Sequence, residues 1–410
     1  MTGKGWTRAL ALAGGVLAQA LPGQAADRIE VKLGVLADMS GIFSDIGGEG
    51  AAVATRMAVE DFLKAPGRAE RFDIAVLSAD AQNKPDVSAA IARQWLDVDG
   101  VDALIDLPTS AISLALAPLA RERNKVALLT ASGTSDLTGK ACSPNSVHWT
   151  YDTWALAHGT ADALTRAGEK SWFFLTVDFA LGHSLERDAS EVIVANGGEV
   201  KGSVRHPTGA QDFSSYLLQA QGSGAQVIGL ADTGGDAVNV MKQAREFGIA
   251  EAGQTFAGML LFLSDIHSLG LEAAQGLLLT TGFYWDQNEA TRAFADRFAA
   301  LHQGRKPTMN QAGAYSATLA YLEAVERVGS PEDGAAVVAA LRGRGAFDDP
   351  LFGRTELRED GRVLHDMLLV EVKAPGESAG PYDYYKIREV IPGDRAFRPL
   401  AAGGCPLVVN

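Results

Sequence analysis

The sequence of 410 residues lacks the features that mark several large classes of protein. It contains no run of lysine and arginine, and its formal net charge is −14, so a nucleic-acid-binding surface is not expected. Beyond the N-terminal segment, no apolar stretch is long enough to cross a bilayer. Hydrophobic residues make up 47% of the chain, which excludes a disordered protein. At about 150 residues per domain, the length predicts two domains.

The patterns that carry catalysis or bind metals and cofactors are also missing. There is no G-x-S-x-G nucleophile motif and no H-E-x-x-H pair among the seven histidines. Gly139 and Lys140 resemble the end of a phosphate-binding loop, but Thr134 stands where that motif requires glycine. We therefore expect neither enzyme activity nor a metal or cofactor. An exported α/β enzyme stays open as an alternative, because a missing motif is weak evidence.

The first 26 residues have the pattern of a secretory signal peptide. Lys4 and Arg8 give a basic start, Ala9 to Leu21 is a short apolar run, and small residues up to Ala26 form a cleavage site. We expect this segment to be removed and the mature chain to function outside the cytoplasm.

Only two cysteines are present, Cys142 and Cys405. An even number of cysteines in an exported protein predicts a disulfide between them. Two separate buried thiols are the alternative.

Apolar runs of strand length alternate with amphipathic helical stretches along most of the chain. One series covers Val31 to Thr130 and a second covers Tyr151 to Phe247. Such alternation predicts βαβ units, and hence an α/β fold of two doubly wound parallel-sheet lobes. Ligands of these folds bind beyond the carboxyl ends of the strands.

Hydroxyl side chains follow two of the predicted strands. Thr109 and Ser110 come after one strand, and Ser132 and Thr134 come after the next. Hydroxyls and free N–H groups at helix N-termini suit an anionic group. Taken singly, Thr109, Ser110 and Ser132 are more simply explained as helix N-caps, but together the loops favour a shared site.

Several segments together resemble a known family. They include VKLGVLADMSGIFSDIGGEGAAVATRMAVEDF, DLPTSAISLALAPLARERN, LLTASGTSDLTG and FFLTVDFALGHSLERD. These are similar to the periplasmic substrate-binding proteins of ABC transporters, of the branched-chain-amino-acid, leucine-binding-protein-like type. WTYDTWALAHGTADAL, DFALGH and PGESAGPYDYYKI resemble a subgroup that binds diverse solutes, including aromatic acids.

The resemblance implies two lobes joined by a hinge, with a ligand cleft between them. It places crossing segments near 148–152, 281–285 and 352–357. The implied divisions are a signal peptide at 1–26, an N-terminal lobe of 27–150 plus 284–354, a C-terminal lobe of 151–283 plus 355–392, and a tail of 393–410 tied back to the N-terminal lobe.

The resemblance also implies a set of binding residues. Thr109, Ser110, Ser132 and Thr134 match the loops that grip a ligand carboxylate. Leu181 stands where the family has a cleft aromatic, so that aromatic wall is either lost or supplied by Phe179. Met259 or Leu260 stands where amino-acid binders carry an acid that pairs with the ligand's amino group.

Without that acid, a buried ammonium would be costly. Asp236 is a possible substitute, although it begins a helix and could be an N-cap. We therefore expect carboxylates or neutral amides to bind more tightly than leucine, isoleucine or valine. Trp154, Tyr284 and Trp285 could hold an apolar ligand body, or could equally be lobe core.

The function implied is that of a periplasmic, non-enzymatic protein that delivers a small solute to the membrane permease of an ABC importer. The solute would be polar or carboxylate-bearing: an aromatic or aliphatic acid, an amide, or an amino acid. A ligand sensor of the same fold is the alternative. A monomer that neither spans the membrane nor binds nucleic acid is expected.

Overall fold

The computed structural model describes residues 1–5, 28–249 and 252–409. The predicted signal peptide lies, apart from its first five residues, outside this part of the chain. No helix in the described ranges is long and apolar enough to cross a membrane.

The first lobe is built on a five-stranded, fully parallel sheet of order β2-β1-β3-β4-β5. Its buried strands are short apolar runs, as expected for a sheet covered on both faces. The strands are β1 (Ile29–Ala37), β2 (Phe72–Asp80), β3 (Ala103–Asp106), β4 (Val126–Leu129) and β5 (Ser146–His148). The helices between them are α1 (Gly48–Leu63), α2 (Arg68–Arg71), α3 (Pro85–Gln94) and α4 (Ser110–Glu122).

The second lobe repeats this architecture with a parallel sheet of order β7-β6-β8-β9. Its strands are β6 (Ser171–Val177), β7 (Glu199–His206), β8 (Val227–Ala231) and β9 (Thr255–Gly258). Its helices are α5 (Thr153–Arg166), α6 (Ala180–Ala195), α7 (Ser214–Gly222), α8 (Gly234–Glu246), α9 (Leu263–Leu269) and α10 (Leu271–Ala274). The predicted α/β fold with two parallel sheets is confirmed.

The remaining chain returns to both lobes. Helices α11 (Glu289–Leu301) and α12 (Met309–Val328) pack on α1 of the first lobe, followed by α13 (Gly334–Arg342). An antiparallel sheet of β10 (Leu278–Thr281), β14 (Met367–Val372) and β15 (Tyr385–Ile391) extends the second lobe. A small antiparallel sheet contains β11 (Phe347–Asp349), β12 (Gly353–Leu357) and β13 (Val363–Leu364), and α14 (Gly393–Ala396) precedes the tail.

One predicted crossing segment is wrong. Residues 352–357 do not pass between the lobes, because β12 pairs with β11 and β13 in the small sheet on the first lobe. Arg362 beside β13 bridges to His148 of the first sheet. The next strand along the chain, β14, begins at Met367 and belongs to the antiparallel sheet that extends the second lobe.

The three crossing segments meet in a buried hinge. His365 Nε2 lies 2.6 Å from the carbonyl oxygen of Thr150. A Cβ added to Gly282 would lie 3.1 Å from the ring of His365 and 3.3 Å from the Thr150 carbonyl. Burial, with the charge of Arg362 as a smaller cause, lowers the pKa of His365 to about 4, so its ring is neutral near pH 7.

The tail is joined covalently to the first lobe. Cys142 and Cys405 form a disulfide with a Cα–Cα distance of 5.7 Å. Arg398 of the tail also donates a hydrogen bond to the Ser135 carbonyl at 2.9 Å. The predicted disulfide is therefore present, and the alternative of two unrelated thiols is excluded.

Candidate functional site

A narrow cleft lies between the two lobes at the carboxyl ends of their strands. The loops after β1, β3 and β4 form the first-lobe side, and the loops after β6, β8 and β9 form the other side. This is the position expected for a ligand in a doubly wound fold. The lining residues are Asp38, Phe43, Ile46, Gly47, Gly48, Asp106, Pro108, Thr109, Ser110, Ala131, Ser132, Gly133, Tyr151, Phe179, Leu181, Thr233, Leu260, Phe262 and Asn310.

The lobes touch beside the cleft, so the structure shows its closed form. Phe43 of the first lobe packs so closely on Gly234 of the second that a Cβ at Gly234 would lie 2.9 Å from the Phe43 ring. The hydroxyls of Thr134 and Ser184 form another contact between the lobes, with an oxygen–oxygen distance of 2.7 Å.

The N-terminus of α4 forms part of the cleft wall. Thr109 is its N-cap, and the Thr109 hydroxyl oxygen accepts a hydrogen bond from the N–H of Ile112 at 3.4 Å. Ser110 Oγ accepts a hydrogen bond from the N–H of Thr134 at 3.1 Å. Both side chains line the cleft. Each hydroxyl can still donate its proton, so together with the helix dipole they favour an anionic or hydrogen-bond-accepting group.

The hydroxyls of the other two predicted binding residues, Ser132 and Thr134, form hydrogen bonds within the protein. Ser132 lines the cleft, but its hydroxyl is hydrogen-bonded to the carbonyl of Leu107 at 3.0 Å and to Ser113. Thr134 is outside the lining, where it caps a short 3-10 turn and meets Ser184. The geometry therefore does not support the expectation that Thr134 grips a ligand, because the loop turns its hydroxyl toward the second lobe.

Apolar and aromatic side chains form the remaining walls. Phe179, Leu181 and Leu260 all lie in the lining, where Phe43 and Phe262 accompany them. Such walls suit a ligand with an apolar body.

Three aromatic residues suggested by the sequence are placed elsewhere. Trp154 stacks on His158, and Tyr284 packs against Tyr385 and Trp285. None of Trp154, Tyr284 and Trp285 is in the lining.

Asp236 does not line the cleft either. It lies in the first turn of α8, and its Oδ2 accepts a hydrogen bond from the N–H of Gly209 at 2.8 Å. The carboxylate thus joins the first turn of α8 to the loop at Gly209. This is neither of the two roles that the sequence suggested, a ligand contact or a helix N-cap.

The cleft nevertheless contains two acids that the sequence analysis did not assign to it. The carboxylate of Asp38 accepts hydrogen bonds from the N–H groups of Gly41 and Phe43 and from the Asn83 amide, so it shapes its own loop. Asp106 ends β3 and is fully buried in the lining. Met259 and Leu260 carry no acid, but Asp106 reaches the cleft from another strand. An acid that ends an otherwise apolar strand, ALID, was the available signal.

Within the described ranges, no cluster of His, Cys, Asp and Glu has the arrangement of a metal site.

Comparison with known proteins agrees with this geometry. The periplasmic binding protein family matches residues 30–380. A periplasmic binding protein from Burkholderia mallei is 45% identical, with a TM-score of 0.88, covering 92% of this chain and 99% of its own. A branched-chain amino acid ABC transporter periplasmic ligand-binding protein from Burkholderia xenovorans is 41% identical, with a TM-score of 0.81 and the same coverages. A Leu/Ile/Val-binding protein homolog from Brucella melitensis is 26% identical over 76% of this chain and 80% of its own. The chain belongs to the family of periplasmic binding proteins, the non-enzymatic solute-binding components of ABC importers.

Proposed function

We propose that the chain, exported to the periplasm through a cleaved signal peptide, captures a small solute with a carboxylate or other polar end and an apolar body. It presents this solute to the permease subunits of an ABC importer. The observation that carries the proposal is the N-terminus of α4, where Thr109 and Ser110 face a closed cleft with aromatic walls. Permease recognition follows from closure, since both lobes contact the solute only when they are together.

We also propose lobe boundaries that differ from those expected from the sequence. The first lobe comprises 27–150, 284–364 and the tail of 393–410, and the second comprises 151–283 and 365–392. We propose that the lobes move relative to each other where the three crossing segments meet, at the close contacts between Thr150, Gly282 and His365. We further propose that the mature protein acts as a monomer, since one chain supplies both sides of the cleft.

A thermal-shift screen of the purified mature protein against small acids, amides and amino acids tests the proposal. A solute at one hundred times its Kd adds about 2.7 kcal/mol to the free energy of unfolding, which raises the melting temperature measurably. If no small solute stabilises the protein, the proposal fails.

Two matched serine variants then locate the solute by calorimetry. Ser110→Ala removes a hydroxyl that faces the cleft, and we expect the Kd to rise about tenfold, from a loss of roughly 1–1.5 kcal/mol. Ser113→Ala removes a buried hydroxyl one turn further along α4, which is bonded inside the protein. It should lower the melting temperature and leave the Kd unchanged. Equal effects of the two variants on the Kd would contradict the assignment of the α4 N-terminus as the binding element.

A further inference from the structure

The carboxyl group of Asp106 has an oxygen with no hydrogen-bond partner. Asp106 is fully buried, and its Oδ1 accepts a hydrogen bond from the Thr130 hydroxyl at 3.2 Å. In the described part of the chain nothing donates to Oδ2. This oxygen borders the cleft at Gly47, where a Cβ would lie 2.9 Å from it. A buried acceptor left unpaired costs free energy, so Oδ2 is an atom that a ligand donor would stabilise.

The backbone at this position is strained. Asp106 and Leu107 have φ values of +79° and +58°, a conformation that residues other than glycine rarely adopt. The carbonyl of Asp106 accepts hydrogen bonds from the N–H groups of Thr130 and Ala131, at 3.3 and 3.2 Å, and these hold the turn. Strain in two consecutive residues at a strand end is typical of a functional position.

Two more unpaired oxygens border the same cleft, Asn310 Oδ1 and Thr233 Oγ1. The amide oxygen of Asn310 is free to accept a hydrogen bond. Three acceptors from both lobes match the three N–H donors of an ammonium group.

The charges near Asp106 are all of one sign. The lining contains Asp38 and Asp106 and, among the described residues, no lysine, arginine or histidine. Burial, with the charge of Asp38 as a smaller cause, raises the pKa of Asp106 to about 7. The other titratable groups nearby are Tyr151, whose pKa burial raises above its usual range, and Asp265, whose pKa burial raises to about 7.

We infer, on the basis of the proposed function, that Asp106 is the specificity-determining residue of the cleft. It accepts a hydrogen bond from a protonated amine on the solute, while Asn310 and Thr233 take the amine's remaining donors. The solute is therefore amine-bearing, and its capture is linked to pH. An ammonium binds the ionised form of Asp106, so affinity falls as the pH drops through the pKa of that carboxyl in the unliganded protein.

Paired probes that differ only in the amine test this inference. L-phenylalanine with 3-phenylpropionate, and L-leucine with 4-methylpentanoate, are titrated calorimetrically at pH 8 and pH 6. We expect the amine-bearing member of a pair to bind at least tenfold more tightly at pH 8. Its Kd should rise roughly tenfold at pH 6, because a group of pKa 7 is then about 90% protonated.

Two aspartate variants complete the experiment. Asp106→Asn keeps an oxygen for the Thr130 hydroxyl but removes the charge, so it should weaken amine binding and abolish the pH dependence. Asp236→Asn makes the same change outside the cleft and should leave both the Kd and its pH dependence as in the wild type. Melting temperatures of both variants establish that they fold.

The outcomes separate this inference from the proposed function. Submicromolar binding of a deaminated probe, or of a screened solute without an amine, overturns the role of Asp106 and leaves the solute-capture function standing. Affinity that increases toward pH 6 also overturns it, since Asp106 would then donate a proton to an anion. If neither the probes nor the screen yields a binder, both fail.

Discussion

The closure of the lobes can be tested at the contact between Phe43 and Gly234. A Cβ added to Gly234 would lie 2.9 and 3.1 Å from two ring atoms of Phe43, which belongs to the opposite lobe. The clash exists only when the lobes are together. Gly234→Ala should therefore destabilise the closed form relative to the open form.

The size of the effect follows from two separate costs. Gly234 has a φ of +63°, and alanine in that region costs about 1–2 kcal/mol in both the open and the closed form. The contact with Phe43 adds an overpacking cost of about 1–3 kcal/mol in the closed form alone. Since binding requires closure, the second cost predicts a rise in the solute Kd of roughly 5- to 150-fold.

Gly276→Ala is the matched control. Gly276 lies in the same lobe with a φ of +80°, and a Cβ there would meet no atom within 4 Å. Both variants should lose a similar amount of thermal stability, but only Gly234→Ala should lose affinity in a calorimetric titration. Wild-type affinity in Gly234→Ala would refute the contact as part of the closed, solute-binding form.

Two further predictions concern stability. Replacing both Cys142 and Cys405 with serine removes a disulfide that joins residues 263 positions apart. The free energy of unfolding, measured by denaturant titration, should fall by up to about 5 kcal/mol. An unchanged value would mean that the disulfide does not form in solution. The pKa of His365 is about 4 in the folded protein against 6.5 in the unfolded chain, so its contribution to stability is lost as the pH falls from 6.5 to 4. The free energy of unfolding of the wild type, measured relative to His365→Gln, should decrease by about 2.4 kcal/mol between pH 7 and 4.5. A difference that does not vary with pH would show that His365 is not buried in its neutral form.

Periodicity was sufficient to predict the parallel sheets. Strands such as Phe72–Asp80 and Ser171–Val177 are bounded by helices with clear starts, and local pattern and tertiary packing agree there. The third crossing segment was misplaced because β12 and β13 form a short antiparallel hairpin, whose partners are set by a turn at Gly361 with φ +82°. Strands this short show too little hydrophobic periodicity to predict the lobe to which they belong.

The candidate site could be predicted only in part. Thr109 and Ser110 follow a strand and begin a helix, so their position at the cleft is a consequence of the fold. The direction in which each hydroxyl points does not follow from the fold alone. Ser132 and Thr134 form hydrogen bonds with Leu107 and Ser184, which are distant in sequence. An acid at the end of the apolar strand ALID was the signal available for Asp106, but its place in the cleft also depends on a left-handed backbone that the hydrophobic pattern does not show.

The most direct test of the account is a crystal structure of the mature protein with the solute found by screening. We expect a single solute enclosed between the lobes, with its polar end at Thr109 and Ser110 and its body against Phe179 and Leu181. A donor group of the solute should lie within hydrogen-bonding distance of Asp106 Oδ2. A solute bound outside this cleft, or inside it with Asp106 Oδ2 still unpaired, would contradict the account.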